Sequence, residues 1–404
     1  MQLTFTEKLL LSCLLPTAAS DERLRRLLAA ESKSDWAAAV RQTEFHYIAP
    51  LLRFNLARAG VLEQLPNEQQ SRLREISQPW AARHLAYVSE AARLIAALGN
   101  AGITAIPLKG AALMLGGYYP QAGLRAATDI DLLADPAYIE RADEIVAQLG
   151  YAHLPGKRAA RPRQRLANDV NHLWPRRGPS GLILELHHRA FQFARRRRDF
   201  SFAEVRARAV EHNLAGASLL LPSPADLAFH LVHHTLVDLQ TTRAIWRTIA
   251  DLHFIFAREP EAREAMKQQA AEFGFAGAAS LANDIEQLLA NGSLADLKNA
   301  AEDERFSLWF ETAWLDDSLP VADAARLFEY FDFGRQPFAK LGNLFSLLFT
   351  SREHLTQLYG RPAQGSVYLN YLRRPFDLLK KLNRAGLSPA TLRRVWKLRK
   401  QASR

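Results

Sequence analysis

A single cysteine, Cys13, stands in 404 residues. That scarcity excludes an intramolecular disulfide framework and any cysteine-built zinc site, and the reducing cytoplasm is the expected compartment. Long hydrophobic runs are missing too: no stretch reaches the ~20 apolar residues needed to span a bilayer. The apolar run at residues 9–15 is short, is broken by Ser12 and Cys13, and follows Glu7 beside Lys8. It is expected to form a first buried helix rather than a signal segment. No internal repeat of solenoid length occurs. Acids are scarce in two places. Residues 155–198 hold twelve Lys/Arg against Asp169 and Glu185, and residues 366–404 hold eleven against Asp377. Each stretch carries +10, which equals the net charge of the whole chain, so the remainder is near −10. Partners of opposite charge are to be sought at these two patches.

Apolar residues make up 48% of the chain, enough for a large core, and charged residues 23%. Residues 1–85 read as helices, with a break at Leu65-Pro66-Asn67. Helical spacing continues through residues 86–98, where Val88, Ala91, Leu94, Ile95 and Leu98 recur on one face. The pattern then changes. Short β-type runs are expected at 103–108, 129–133, 151–154, 170–174 and 182–188, with a helix over 138–149 and loops over 156–165 and 175–181. From about Ser201 a helical pattern is expected to persist. The fold class that follows is α+β and mostly helical, a small mixed sheet flanked by helical regions. The expected divisions are an N-terminal helical region (1–85), an α/β core (86–200), a C-terminal helical region (201–365) and a basic amphipathic tail (366–404).

The strongest local signal is Asp129-Ile130-Asp131. Side chains at i and i+2 of a strand project to one face, so both carboxylates point one way while Ile130 and Leu132 point into an apolar layer. Two such carboxylates repel unless they share a cation, and hard oxygen ligands suit Mg²⁺ or Mn²⁺ with substrate phosphates completing the shell. Upstream, Lys109-Gly110-Ala111 follows a β-type run and opens a helix. A glycine there admits a phosphate to the backbone. Lys109 adds a point charge and Arg125 a guanidinium fork. Downstream, LILELHH alternates, so Glu185 and His187 share one face and Leu184 and Leu186 the other. Glu185 is a third carboxylate if its strand pairs beside 129–133; a Glu185–Arg salt bridge is the plainer alternative.

The order LKGAAL, then TDIDLL, then LELHHR resembles the nucleotidyltransferase family of the DNA polymerase β-like superfamily, in its bacterial branch with an LKG-type first motif. The resemblance covers residues 86–200 well and continues more loosely through HLVHH and SREHLTQLYG. It implies a small mixed sheet, a phosphate-binding turn and three carboxylates holding divalent metal, with transfer of NMP from an NTP to an acceptor hydroxyl and release of pyrophosphate. By that resemblance Lys109, Gly110 and Ala111 take the turn, and Asp129 and Asp131 the paired position. Glu185 becomes the third carboxylate, deprotonating the acceptor hydroxyl or holding a second metal. Arg125 and His187 are expected to contact nucleotide or support a carboxylate. ATP is the expected NTP. A Lys-Gly-Ala turn lacks the serine or second glycine common in the superfamily, and the spacing from Ala111 to Asp129 is long.

His230 and His234 stand at i, i+4, a zinc-like spacing without an HExxH glutamate. A packed polar face is the expected reading, with His233 or His234 on the acceptor side of the cleft near Asp238 or Asp251. The first basic patch has few interleaved aromatics, so nucleic-acid recognition by base stacking is not favoured. The tail suits an anionic partner or a membrane surface, which would make the protein peripheral to the membrane. The acceptor is expected to be a sugar, a peptide natural product or another small molecule. A non-catalytic nucleotide-binding scaffold and an RNA-directed nucleotidyltransferase are the alternatives.

Overall fold

A computed structural model describes residues 3–30, 35–154, 171–191, 200–214, 216–237, 244–300, 302–313 and 369–384, together with 393, 396 and 397. Five strands make one mixed sheet: β1 (Ala105–Pro107), β2 (Asp129–Ala134), β3 (Ala152–His153), β4 (Arg176–Arg177) and β5 (Ile183–His187), in the order β1-β2-β5-β4-β3. Only β2 and β5 run parallel; the other neighbours are antiparallel. A separate hairpin joins β6 (Val210–Leu214) to β7 (Ala217–Leu221). Among the described residues the rest of the regular structure is helical, as the α+β, mostly helical class requires.

The two faces of the sheet differ because β2 and β5 alternate. Ile130, Leu132, Leu184 and Leu186 point into a core built with Tyr87, Ala91, Leu94 and Leu98 of the Asn67–Asn100 helix and with Ile145 and Val146 of the Ile139–Gln148 helix. Asp129 and Asp131 lie on the opposite face together with Leu133, which belongs to the second, larger core. In that larger core Leu9, Leu10 and Leu11 of the first helix join Phe229, Trp246, Trp309 and Phe310, more than two hundred residues on. The first helix, Phe5–Cys13, begins at a capping box in which Thr4 and Glu7 satisfy each other's free amides. Its run of leucines is buried, as residues 9–15 led us to expect. Arg23 clamps this end by donating to the carbonyls of Leu289 and Gly292.

The Asn67–Asn100 helix is 34 residues long and crosses the expected division at 85/86 without interruption. Its N-terminal half sends Leu73 into the larger core, and its C-terminal half covers the sheet. Two local expectations need correction. Residues 175–181 are not wholly loop, since Arg176 and Arg177 form β4, and within 171–174 only His172 bridges to the sheet. The helical pattern after Ser201 is interrupted by the β6–β7 hairpin, whose turn is closed by Asn213 Oδ1 accepting from the Gly216 amide, with Gly216 at φ +88°. Most of the first basic patch (155–170 and 192–199) and Asp238 lie outside the described residues.

Candidate active site

Pairing of β2 with β5 puts Asp131 directly opposite Glu185, and Leu133 opposite His187. Asp131 is 2% exposed and is the hub. Its Oδ1 accepts from Lys109 Nζ at 2.9 Å and lies 2.9 Å from His187 Nε2. His187 Nδ1 in turn lies 3.3 Å from the Asn171 amide nitrogen. An Asn171 amide donating to Nδ1 leaves the proton on Nε2, aimed at Asp131. Glu185 Oε2 is 3.7 Å from His187 and 3.8 Å from His172. No arginine bonds to Glu185 among the described residues, so the plainer Glu–Arg alternative finds no support there.

Electrostatics separate the three carboxylates. Burial alone would raise Asp131, but the Lys109 charge and the His187 hydrogen bond hold it well below the usual carboxylate range. Burial likewise opposes Glu185, yet His187 at 3.7 Å and the nearby His172 bring it down to about 2. Asp129 moves the other way. Burial and then repulsion from Asp131 push it up, with Lys109 only partly offsetting them. Lys109 is held firmly protonated: burial works against the charge, and Asp131, Glu185 and Asp129 outweigh it. His187 rises because Asp131 and Glu185 overcome its burial.

The turn at residues 109–111 has an unusual backbone. Lys109 adopts φ +47°, a left-handed conformation that a non-glycine residue seldom takes. It opens the Lys109–Leu115 helix beside β2. Ala111, expected in the phosphate turn, has its methyl fully buried in the sheet core, and its amide donates to the Leu108 carbonyl. At Gly110 a methyl group would stand 3.3 Å from the Ala127 methyl, tighter than ordinary contact. This is the close approach that glycine permits there. Arg125, expected to fork onto phosphate, has closed that fork elsewhere. Its Nε and Nη2 donate to the two oxygens of Asp251, and Nη1 to the Ala126 carbonyl. Tyr119 donates to the same Asp251. Buried guanidinium needs a buried anion, and Asp251 supplies it.

Other groups escaped sequence reasoning. Tyr87 donates to the Asp129 carbonyl at 2.6 Å; its place four residues before Ala91 on the apolar face was the available signal. Arg247 donates to the Ala126 carbonyl at 3.3 Å, and nothing in its local sequence marks it. Asn171 had no signal either. His233, one of two residues expected on the acceptor side, is buried with its ring stacked 3.6 Å from Phe191. The rings of His230 and His234 lie parallel, 6.3 Å apart. Burial first, then the charge of Lys109, holds both well below the ordinary histidine value.

The donor set fits a divalent cation. Among the described residues one His/Cys/Asp/Glu group brings ligand atoms within 4.8 Å of one another: Asp131, Glu185 and His187. Two of these are ionised carboxylates, and the third carboxylate, Asp129, shares their face and carries the repulsion that a cation would relieve. Asp129 is not within that tight group, and the His230–His234 pair does not join it.

Comparison with known proteins bears on this arrangement. No curated protein matches the chain, and no solved structure matches it. The model of one family, described as uncharacterised nucleotidyltransferase, matches residues 32–290, which contain the whole sheet and every acid of the site. With that match over more than half its length, the chain belongs to the uncharacterised nucleotidyltransferase family and is a nucleotidyl-transferring enzyme.

Proposed function

We propose that the enzyme moves NMP from an NTP, ATP in the first instance, to the hydroxyl of a sugar, peptide natural product or other small molecule, with pyrophosphate leaving. The observation that carries this reading is the alignment of Asp131 with Glu185 across β2 and β5, on the same sheet face as Asp129 and under the Lys109 ammonium. Mg²⁺ or Mn²⁺, held by Asp129, Asp131 and Glu185 with His187 alongside, would supply Lewis-acid stabilisation of the phosphoryl oxygens. The side chains then have distinct parts. Lys109 neutralises phosphate charge at the Lys109-Gly110-Ala111 turn. Asp131 is kept ionised and oriented by two donors. Glu185, brought down to about 2, is a weak base at neutral pH, so holding cation and orienting the hydroxyl suit it better than taking the proton. Positioning and charge stabilisation carry such a reaction, since the protein contributes little covalent chemistry.

The basic 366–404 segment is proposed to meet an anionic surface. In its Leu369–Arg384 helix, Leu372 and Phe376 are exposed at 70% and 72% amid arginines. No helix among the described residues is long and apolar enough to cross a membrane.

Transfer from an α-labelled NTP to cell-extract acceptors tests the reading. Asp129→Asn/Asp131→Asn protein should lose transfer by at least ~10³-fold, since metal-holding carboxylates act as a unit. A double variant working at the wild-type rate would sink the assignment.

A further inference from the structure

The Ala244–Arg258 helix turns one face toward the segment that joins the Lys109–Leu115 helix to β2. Arg247, Asp251, Phe254 and Arg258 follow one another at intervals of four, three and four residues, which stacks them along one side of a helix. Each meets that segment. Arg247 donates to the Ala126 carbonyl at 3.3 Å, and Asp251 accepts from Arg125 and from Tyr119. The Phe254 ring lies 4.2 Å from the Tyr119 ring, centre to centre. Arg258 donates to the Gly116 carbonyl at 2.6 Å and covers the Tyr118 ring at 5.0 Å.

These contacts govern both ends of the short helix that Lys109 opens. Gly116 is its C-terminal cap, and a carbonyl there has no partner within the helix; Arg258 supplies one. At the other end, a methyl group on Gly110 would stand 3.5 Å from Arg125 Nη1 and 3.7 Å from its Cζ. The Arg125 guanidinium, held by the two oxygens of the fully buried Asp251, is therefore the wall against which Gly110 rests. Lys109 keeps its φ of +47° beside this wall. A residue stays in so sparsely populated a conformation where its surroundings over-determine it, and that conformation delivers the Lys109 ammonium to Asp131. The same guanidinium donates to the Ala126 carbonyl, three residues before Asp129.

Resting on the nucleotidyltransferase reading above, we infer that Asp251 is a positioning residue for nucleotide binding, acting through Arg125 on the Gly110 turn and on the chain that enters β2. It keeps the Lys109 ammonium and the β2 acids in one geometry, although it stands 126 residues from Arg125 in the chain. A buried ion pair that only stabilises the fold is the competing role. Glu286 separates the two: it is a buried anion that grips the same helix, 2.7 Å from His253 and 2.8 Å from Arg263, but it belongs to a different face.

Titration calorimetry with Mn²⁺–ATP, and amide hydrogen exchange of the metal-free protein, decide the matter on wild-type, Arg125→Lys, Asp251→Asn and Glu286→Gln proteins. Arg125→Lys keeps a cation for Asp251 but gives up the planar fork that also reaches the Ala126 carbonyl. Arg125→Lys and Asp251→Asn should each weaken Mn²⁺–ATP binding by about 10- to 100-fold, the range for outer groups that orient a metal site. Exchange of amides 111–116 should speed up in both, while the Phe5–Cys13 helix stays as protected as in wild type. Glu286→Gln should leave both readouts within about twofold. Wild-type affinity or wild-type exchange in Arg125→Lys, or equal losses in Glu286→Gln and Asp251→Asn, overturns the positioning role and leaves the reaction class standing. Wild-type protein that binds no Mn²⁺–ATP overturns the nucleotidyltransferase reading and the positioning role with it. Should Arg125→Lys and Asp251→Asn fail to fold, Tyr119→Phe replaces them, since it removes one donor to Asp251 and leaves the ion pair. Its affinity should fall by about 2- to 10-fold with faster exchange over 111–116, and wild-type values of both overturn the positioning role.

Discussion

Lys109 and Asp131, far apart in sequence, form a buried ion pair of 2.9 Å at the centre of the site, with side-chain exposures of 13% and 3%. The pair makes Asp131 a structural anchor as well as a candidate metal ligand, whereas Asp129, two residues away on the same face, has no such support. The two aspartates therefore differ in what they contribute to folding.

Asp131→Asn should destabilise the metal-free protein by about 3–5 kcal/mol, because it strands a buried ammonium. Asp129→Asn should raise Tm. The Asp129 carboxyl is pushed up from its ordinary 3.8 by burial and by Asp131, so the folded chain binds the proton more tightly than the unfolded chain. Stability then falls as pH rises above about 3.8 through the folded-state value. The Tm gain of Asp129→Asn over wild type should accordingly grow between acid and neutral pH and level off. Urea and thermal melts with chelator present measure both effects. Equal losses in the two variants would contradict this electrostatic picture.

Lys109→Met should pull metal and nucleotide binding in opposite directions. Removing the ammonium from Asp131 removes a competitor for a divalent cation, so Mn²⁺ alone should bind several-fold more tightly. Nucleotide with metal should bind several-fold more weakly, through loss of the phosphate contact. Calorimetry with Mn²⁺ and with a non-hydrolysable NTP analogue reads the two signs separately. A matched loss of both would instead make Lys109 a purely structural residue.

Gly123→Ala should cost at least ~2 kcal/mol. Gly123 sits at φ +84°, and a methyl group there would fall 2.5 Å from the Ala81 backbone nitrogen, which cannot move aside without shifting the helix. A Tm drop of several degrees is expected. Gly117→Ala is the control for positive φ alone: Gly117 has φ +63° and open space around it, so its loss should be smaller. A similar drop in the two variants would mean that backbone conformation, rather than the approach to Trp80–Ala81, sets the requirement.

Truncation after Asn370 should leave Mn²⁺–NTP affinity within about twofold and abolish co-sedimentation with anionic vesicles, since Leu372 and Phe376 are turned to solvent. Binding to phosphatidylcholine vesicles should be absent before and after truncation. Retained sedimentation with anionic vesicles would move the lipid-binding role to another part of the chain.

Much of the core was legible because it is local. Alternation in β2 and β5, the apolar period of the Asn67–Asn100 helix and the end of the Ile139–Gln148 helix near Gly150 all follow from neighbours a few residues apart. The β6–β7 hairpin was hidden because VEHNL carries its polar and apolar residues without a strong bias, and most of that strand faces outward. β4 was hidden because two arginines between turn residues give no β signal. Arg176 is held there from other elements, donating to Asp143 at 2.7 Å and 2.8 Å and to the Tyr151 carbonyl.

The sequence by itself determined which residue types share a face: Asp129 with Asp131, and Glu185 with His187. That needs only the two-residue period of a strand. Tertiary structure alone decided what each of them meets. Parallel pairing of β2 and β5 brought Glu185 opposite Asp131, and the left-handed turn at Lys109 delivered its ammonium to Asp131 rather than to solvent. Packing of the Ala244–Arg258 helix against the loop gave Arg125 to Asp251 and set Arg247 beside Tyr47. These partners lie tens to hundreds of residues apart in the chain, and a buried charge takes whichever counter-charge the packing of the whole molecule brings within reach.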